Sequence, residues 1–237
     1  MQKTTLLPET IEPCLSVVIP VFNEEKLILR CVERVLEEPL VNDVVIVNDG
    51  SNDDTANQIA FFKSHPKVKI FSHLINQGKG AALRTGFGLA ESAFVVTQDA
   101  DLEQDPSDYK CLIDPLFKGE ADVVYGTRFS SLKRHSGQRF VHYFANRLLT
   151  FISNLKTGLK LTDMETGYKA FCHGVLDGLV IEENRFGVEP ELTAKIANEG
   201  WRIVEVPVSY VPRSASDGKK IGWKDGFRTL YCIFKYS

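Results

Sequence analysis

Between residues 95 and 106 the chain reads VVTQDADLEQDP, an apolar run that ends in Asp99, Asp101 and Glu103 at every second position. Carboxylates two apart, just past a strand, can converge on a hard divalent cation. Mg2+ takes oxygen ligands, commonly one or two carboxylates plus substrate phosphates, and Mn2+ accepts similar donors. The competing reading is an acidic turn that caps the next helix. Asp105, beside Pro106, fits that second role. A second polar group, Asn48-Asp49-Gly50-Ser51, closes the run VVIV. Asp49 could accept a hydrogen bond from a base imide or a ribose hydroxyl, and Gly50 permits positive φ and close backbone approach. A plain turn before a capped helix would use the same residues. Asn76-Gln77-Gly78-Lys79-Gly80 precedes a helical pattern. The phosphate-loop spacing GxxxxGK[ST] is absent because Gly80 follows Lys79, yet Lys79 could reach a diphosphate. The histidines (His65, His73, His135, His142, His173) show no ligand spacing.

These groups need a scaffold, and the first half of the chain supplies an alternating one. Strands are expected at Leu15–Val21, Val44–Val47, Val68–Phe71, Ala93–Thr97 and Ala121–Tyr125. Helices are expected at Glu24–Glu37, Asp53–Lys63, Gly80–Ala90 and Pro106–Lys118. Strands apolar throughout, alternating with helices, predict an α/β fold with a mostly parallel sheet covered on both faces. Ligands bind such sheets at the carboxyl ends of the strands. Phe22-Asn23-Glu24, Asn48 to Ser51, Gln98 to Asp101 and Gly126-Thr127-Arg128 all follow strands, so they form one site. The second half is less regular. Helical stripes cover Arg139–Leu155, Phe186–Asn198 and Trp223–Phe234, and Trp201–Val211 alternates like a strand. With 237 residues and no linker or repeat, one continuous domain over 1–237 is expected.

The chain is 43% hydrophobic and 25% charged, with a net charge of -3, as in a soluble globular protein with a real core. From Arg128 to Thr162 there are seven basic residues and no acid, which points to an anionic partner for that stretch. Five scattered cysteines without a CxxC pair argue against disulfides or structural zinc and for a reducing compartment. The N-terminus lacks a signal-peptide core, and no apolar run approaches the roughly 20 residues that span a bilayer. A cytosolic protein is expected, able to lie peripherally on a membrane. The stripe Phe140, Phe144, Leu148, Phe151, Ile152, Leu155 fits either core packing or an interfacial helix. The stripe Trp223, Phe227, Leu230, Tyr231, Phe234 reads the same way.

IPVFNEE, VNDGSNDDT, NQGKGAALRTGF, QDADLEQDP, VVYGTRF and TDMETGYKAF occur in that order. Together they resemble a family 2 glycosyltransferase with the GT-A fold, in the branch of dolichol-phosphate mannose and polyprenyl-phosphate glucose synthases. The likeness covers about residues 15 to 235. It implies a Rossmann-like nucleotide-sugar half over about 15–128, an acceptor half over about 129–237, and inverting transfer with Mg2+ or Mn2+ bridging a diphosphate. Asp99 and Asp101 match the DxD motif. Relatives carry glutamine where this chain has Glu103, which makes Glu103 a possible third ligand. Asn48 replaces a usual acid and leaves Asp49 for the base. The resemblance places Pro20, Phe22, Glu24, Asp49, Lys79, Asp99, Ala100 and Arg213 with the nucleotide sugar. It makes Asp101 and Arg128 catalytic candidates, with Glu165 added from its own chemistry, and Arg128 the acceptor-phosphate arginine, with Arg139, Arg147 and Lys219 as further basic candidates for that phosphate. Mannose from GDP-mannose onto a polyprenyl phosphate is the first expectation, and UDP-glucose the alternative donor. A hydroxyl acceptor would need a base, Glu165 or Glu189. A non-catalytic nucleotide-sugar binder is the third reading. Nucleic acid is not an expected partner. Any membrane contact is expected to be peripheral or through a membrane-protein partner.

Overall fold

The structure, a computed structural model, describes residues 12–129, 140–212 and 223–237. Three βα units come first: β1 (Leu15–Val21), α1 (Ile28–Leu36), β2 (Val41–Asn48), α2 (Thr55–Ala60), β3 (Val68–Ser72) and α3 (Lys79–Phe87). Then follow β4 (Phe94–Thr97), α4 (Tyr109–Phe117), β5 (Val123–Thr127), α5 (Phe140–Thr157), β6 (Lys169–Cys172), α6 (His173–Leu176), α7 (Val188–Asn198), β7 (Ile203–Pro207) and α8 (Trp223–Tyr236). They build a seven-stranded sheet in the order β3-β2-β1-β4-β6-β5-β7. All pairs are parallel except those of β6, which runs antiparallel to β4 and β5.

Both sheet faces are apolar, so neighbouring residues of one strand serve two cores. Val17 and Ile19 face α1 and α4 with Ile28, Val32, Val35, Leu112 and Leu116. Val18 faces the other way, into Leu83, Phe87, Val188, Leu192 and Ile196 of α3 and α7. This burial on both sides explains why the strands read as unbroken β-branched runs. Strand order reverses at β1, whose neighbours are β2 and β4. Clefts open at such a switch point. Pro20 pairs in register with Val47 of β2, while the β1–β4 pairing ends at Val18 and Thr97. Pro20 thus spends no missing N–H on β4, and the two strands part where the cleft begins.

Several elements differ from the expected spans. β5 runs two residues later than expected, which puts Gly126 and Thr127 inside the sheet and Arg128 directly after it. β6 was not anticipated: four residues, one of them a buried lysine, carry no periodicity of their own. The stripes on α5 and α8 face outward. Phe144, Leu148, Phe151 and Leu155, with Phe227, Tyr231 and Phe234, are all more than half exposed, while Ile152 packs inward. No helix among the described residues is long and apolar enough to cross a membrane.

Candidate functional site

The ends of β1 and β2 are latched to each other before any ligand is considered. Asn23, at φ 52°, donates from Nδ2 to Asn52 Oδ1 and accepts Asn52 N–H on its own Oδ1. Asn23 N–H donates to Ser51 Oγ, and Glu24 N–H donates to Thr55 Oγ1 at 2.9 Å. Asn48 Oδ1 accepts Ser51 N–H, so the amide that replaces a family acid closes this turn. Phe22 and Glu24 lie on this half-buried shoulder, and Pro20 is one strand position inside it.

Asp49 is almost wholly buried, and its carboxylate is engaged by one loop. Asn76 Nδ2 and Gly78 N–H donate to Oδ2, each at 2.7 Å, and Gln77 N–H donates to Oδ1 at 3.0 Å. His73 Nδ1 lies 2.6 Å from Oδ1, and its Nε2 lies 3.0 Å from Thr85 Oγ1. Asp49 therefore fastens the 73–78 loop onto β2, a role the DGS motif did not announce. Gly50 (φ +67°) makes this packing possible: a Cβ there would stand 2.5 Å from the Ile75 carbonyl carbon.

That loop delivers Lys79 to the end of β4. Lys79 Nζ sits 2.9 Å from Asp99 Oδ1 and 3.1 Å from Glu189 Oε1. Burial works against the ammonium, but Asp99 and Glu189 outweigh it and hold its pKa above the usual lysine value. Glu189 Oε2 in turn pairs with Lys169 Nζ, which also donates to the carbonyls of Thr166 and Met164. Burial pulls the Lys169 pKa down in spite of Glu189. The result is a row of alternating charge, Asp99–Lys79–Glu189–Lys169, running from the cleft into the core. Gln104 braces Asp99 further: its Oε1 accepts Asp99 N–H at 2.9 Å and its Nε2 lies 3.3 Å from Asp99 Oδ2.

Asp101 is half-buried on the same turn, and its Oδ1 accepts Glu103 N–H. Ala100, between the two acids, is buried in the core. Asp99 and Asp101 carry the oxygen donors that a hard cation takes, and the Lys79 ammonium shows that a positive charge is accommodated against Asp99. Glu103 does not complete a three-acid set. Among the described residues no three acidic, histidine or cysteine groups converge as metal ligands. The Glu103 carboxylate instead accepts the Tyr210 hydroxyl at 2.5 Å, and its carbonyl accepts Val211 N–H. Asp105 caps the turn at Pro106 by accepting Ser107 N–H, as expected, and pairs with Arg34.

Across the cleft stands Arg128. Asp163 accepts its Nε at 2.7 Å and its Nη2 at 2.8 Å, a fork that fixes the guanidinium plane. The Tyr210 ring lies 5.2 Å from the guanidinium carbon. Burial alone would raise the Asp163 pKa, but the Arg128 charge outweighs it and keeps the carboxyl below its usual range. Arg147 Nη1 donates to Thr162 O beside this fork. Arg139, Arg213 and Lys219 lie outside the described residues. Glu165 is not one of the residues that line the cleft. Its Oε1 is closed to solvent without a hydrogen-bond partner, and burial, then Glu189, push its pKa up to about 7.

Between Asp99 and Arg128 lies a small cleft, lined also by Gln104, Gly167, Ser209 and Tyr210. One wall is an anion beside a cation, the other a fixed guanidinium. Asp163, Gly167, Lys169, Gln104 and Tyr210 belong to this construction but were not singled out in the sequence. Three of them sit in TDMETGYKAF, where only the glutamate stood out.

The sequence model of a family described as "Glycosyl transferase family 2" matches residues 16–179. An undecaprenyl-phosphate mannosyltransferase of Micrococcus luteus is 28% identical over 86% of this chain and 86% of its own. A UDP-N-acetylglucosamine–dolichyl-phosphate N-acetylglucosaminyltransferase of Methanococcus voltae is 27% identical over 90% and 92%. Among solved structures, glucosyl-3-phosphoglycerate synthase of Mycobacterium tuberculosis, in complex with Mn2+ and UDP-glucose, superposes with a TM-score of 0.75. That match covers 94% of this chain and 79% of the other at 19% identity, and it carries the fold.

Proposed function

Starting from the fact that the chain belongs to glycosyl transferase family 2, and is therefore a glycosyltransferase of α/β architecture, we propose that it moves one hexose from a nucleotide sugar onto a polyprenyl phosphate. Mannose from GDP-mannose is the leading donor and UDP-glucose the alternative. Residues 15–128 would form the donor half and 129–237 the acceptor half. The observation that carries this reading is the cleft itself, with Asp99, paired to Lys79, on one side and Arg128 on the other. The two relatives named above act, by their names, on lipid phosphates.

A lipid phosphate brings an oxygen that is already anionic, so its attack on the anomeric carbon requires no strong base. Its bond to that carbon forms as the bond to the nucleoside diphosphate breaks, with inversion. Arg128, held flat by Asp163, orients the attacking phosphate; an arginine has five N–H donors and the fork uses two. Lys79 meets the departing diphosphate. A divalent ion, held by Asp99 and Asp101 with diphosphate oxygens, would neutralise charge on the leaving group. Asp101→Ala should abolish transfer, and Arg128→Lys should raise the acceptor KM far more than the donor KM. Full activity of the Asp101 variant, or an unchanged acceptor KM, would sink this assignment.

The outward face of α5 and α8 belongs with this reading. α5 has no acidic residue and carries Arg147 and Lys156 beside its exposed Phe144, Leu148, Phe151 and Leu155. Arg147 reaches Thr162, next to the Arg128–Asp163 fork. An apolar face with basic flanks that adjoins the acceptor end suits an anionic bilayer surface, so we place the protein peripherally on the cytosolic side of a membrane.

One observation favours a second reading. Glu165, with a pKa pushed up to about 7, lies in the range of a general base. Transfer to a glycan or glycolipid hydroxyl would need Glu165 to turn into the cleft, which it does not line here, and Glu165→Gln would then cost orders of magnitude in rate. Glu189 is a poorer base, because both of its oxygens are held by lysines.

A further inference from the structure

We propose that Lys79 is a tethered cation that occupies Asp99 until the donor arrives, and that Glu189 and Lys169 are positioning residues that hold it ready for hand-over to the diphosphate. The proposal rests on the reading of Asp99 as a metal ligand.

An ammonium and a divalent cation compete for the same carboxylate oxygen. In this structure the ammonium holds it: Lys79 Nζ is 2.9 Å from Asp99 Oδ1. Glycine at position 167 makes room for the contact, since a Cβ there would stand 2.4 Å from Asp99 Oδ2 and 2.7 Å from Lys79 Nζ. The pair therefore occupies the space that any side chain at position 167 would fill.

Lys79 has a second acid, Glu189 Oε1 at 3.1 Å, so it can release Asp99 without being stranded as a buried unpaired charge. Glu189 cannot follow it. Its other oxygen is held by Lys169, which is 1% exposed, donates to two carbonyls and lies 4.5 Å from the centroid of the Tyr125 ring. The row is thus fixed at the core end and exchangeable at the cleft end. A metal ion arriving alone must displace the ammonium with nothing offered in return. A metal ion arriving with a nucleoside diphosphate offers phosphate oxygens to Lys79 as it takes Asp99. Metal and nucleotide should therefore bind cooperatively, and the coupling must be reciprocal.

Mn2+ binding followed by electron paramagnetic resonance tests this without any turnover, with the wild type and three variants, alone and with GDP or UDP. Lys79→Met should bind Mn2+ alone about ten- to hundredfold more tightly than the wild type, the range set by losing one charge-assisted competitor. Added nucleotide should then tighten Mn2+ less than it does in the wild type. Lys79→Arg keeps the charge and should stay close to the wild type. Glu189→Gln commits Lys79 to Asp99 and should weaken Mn2+ binding, the opposite sign to Lys79→Met. Circular dichroism melts of each variant establish that it is folded. If Lys79→Met binds Mn2+ no more tightly than the wild type, the tethered-cation proposal is overturned while the metal reading stands. If Glu189→Gln behaves like Lys79→Met, the positioning role is overturned. If the wild type takes up no Mn2+ even with GDP or UDP, the metal reading falls and this proposal with it.

Discussion

Glutamine at position 165 keeps the shape of the side chain and removes its charge. The glutamate there is half-buried, with Oε1 closed to solvent and unpartnered, and desolvation, then Glu189, lift its pKa from 4.5 to about 7. Lys169 and Arg128 pull the other way without cancelling that rise, and Asp163 adds to it. The sign follows from proton counting. Between pH 4.5 and 7 the folded protein holds this proton while the open chain has released it. Stability from this group is therefore complete below about 4.5, falls as pH rises, and is lost above about 7. The difference amounts to about 3 kcal/mol. At about 2–4 °C per kcal/mol for a chain of this size, the melting temperature of Glu165→Gln should gain about 6–12 °C on the wild type between pH 5 and pH 8. Thermal unfolding of both proteins across that range, read as a difference, cancels every other titrating group. Parallel pH profiles would refute the claim that Glu165 is ionised at a cost in the folded protein.

Gly167→Ala should leave the fold intact and cut transfer at least tenfold, because its methyl group would collide with Asp99 and Lys79; melting temperature and kcat measured together check this. Arg128→Ala should cost about 3–5 kcal/mol in urea unfolding, since it leaves the fully buried Asp163 carboxylate unpaired, and Arg128→Lys should recover part of that loss. Phe151→Ser with Leu155→Ser should release the protein from anionic vesicles without lowering its melting temperature, as both side chains are more than half exposed. Sedimentation with phosphatidylglycerol vesicles reads the first effect. Unchanged vesicle binding, with a dimer dissociated by the same pair of substitutions, would assign that face to a second copy instead.

The core strands were legible because a strand buried on both faces must be apolar at every position, as β1 and β2 are. β6 was not, since its pairing is imposed by β4 and β5 on either side and its lysine is neutralised by a glutamate far along the chain. The acids Asp99 and Asp101 were visible from spacing alone. Their partners were hidden because Lys79, Gly167 and Glu189 meet only after the sheet has closed. Periodicity showed that α5 and α8 have apolar stripes but carried no sign of which way the stripes face. Both turned outward, because the small and medium residues Thr150, Ser153, Thr229, Cys232 and Ile233 line the buried side. Asp49 looked like a ligand-binding acid. In the structure it also clamps a loop, and only the three-dimensional position of Asn76, Gln77 and Gly78 reveals that role.

The acceptor decides the central claim. The purified protein should be given Mg2+ or Mn2+ with GDP-mannose, UDP-glucose or UDP-N-acetylglucosamine in turn, and a short polyprenyl phosphate or the matching polyprenol. Products are read by mass spectrometry. The expected product is a polyprenyl phosphate carrying one added hexose, from GDP-mannose in the first instance, with no product from the polyprenol. Glycosylated polyprenol, or a protein that ignores the lipid phosphate while glycosylating a hydroxyl acceptor, would contradict it.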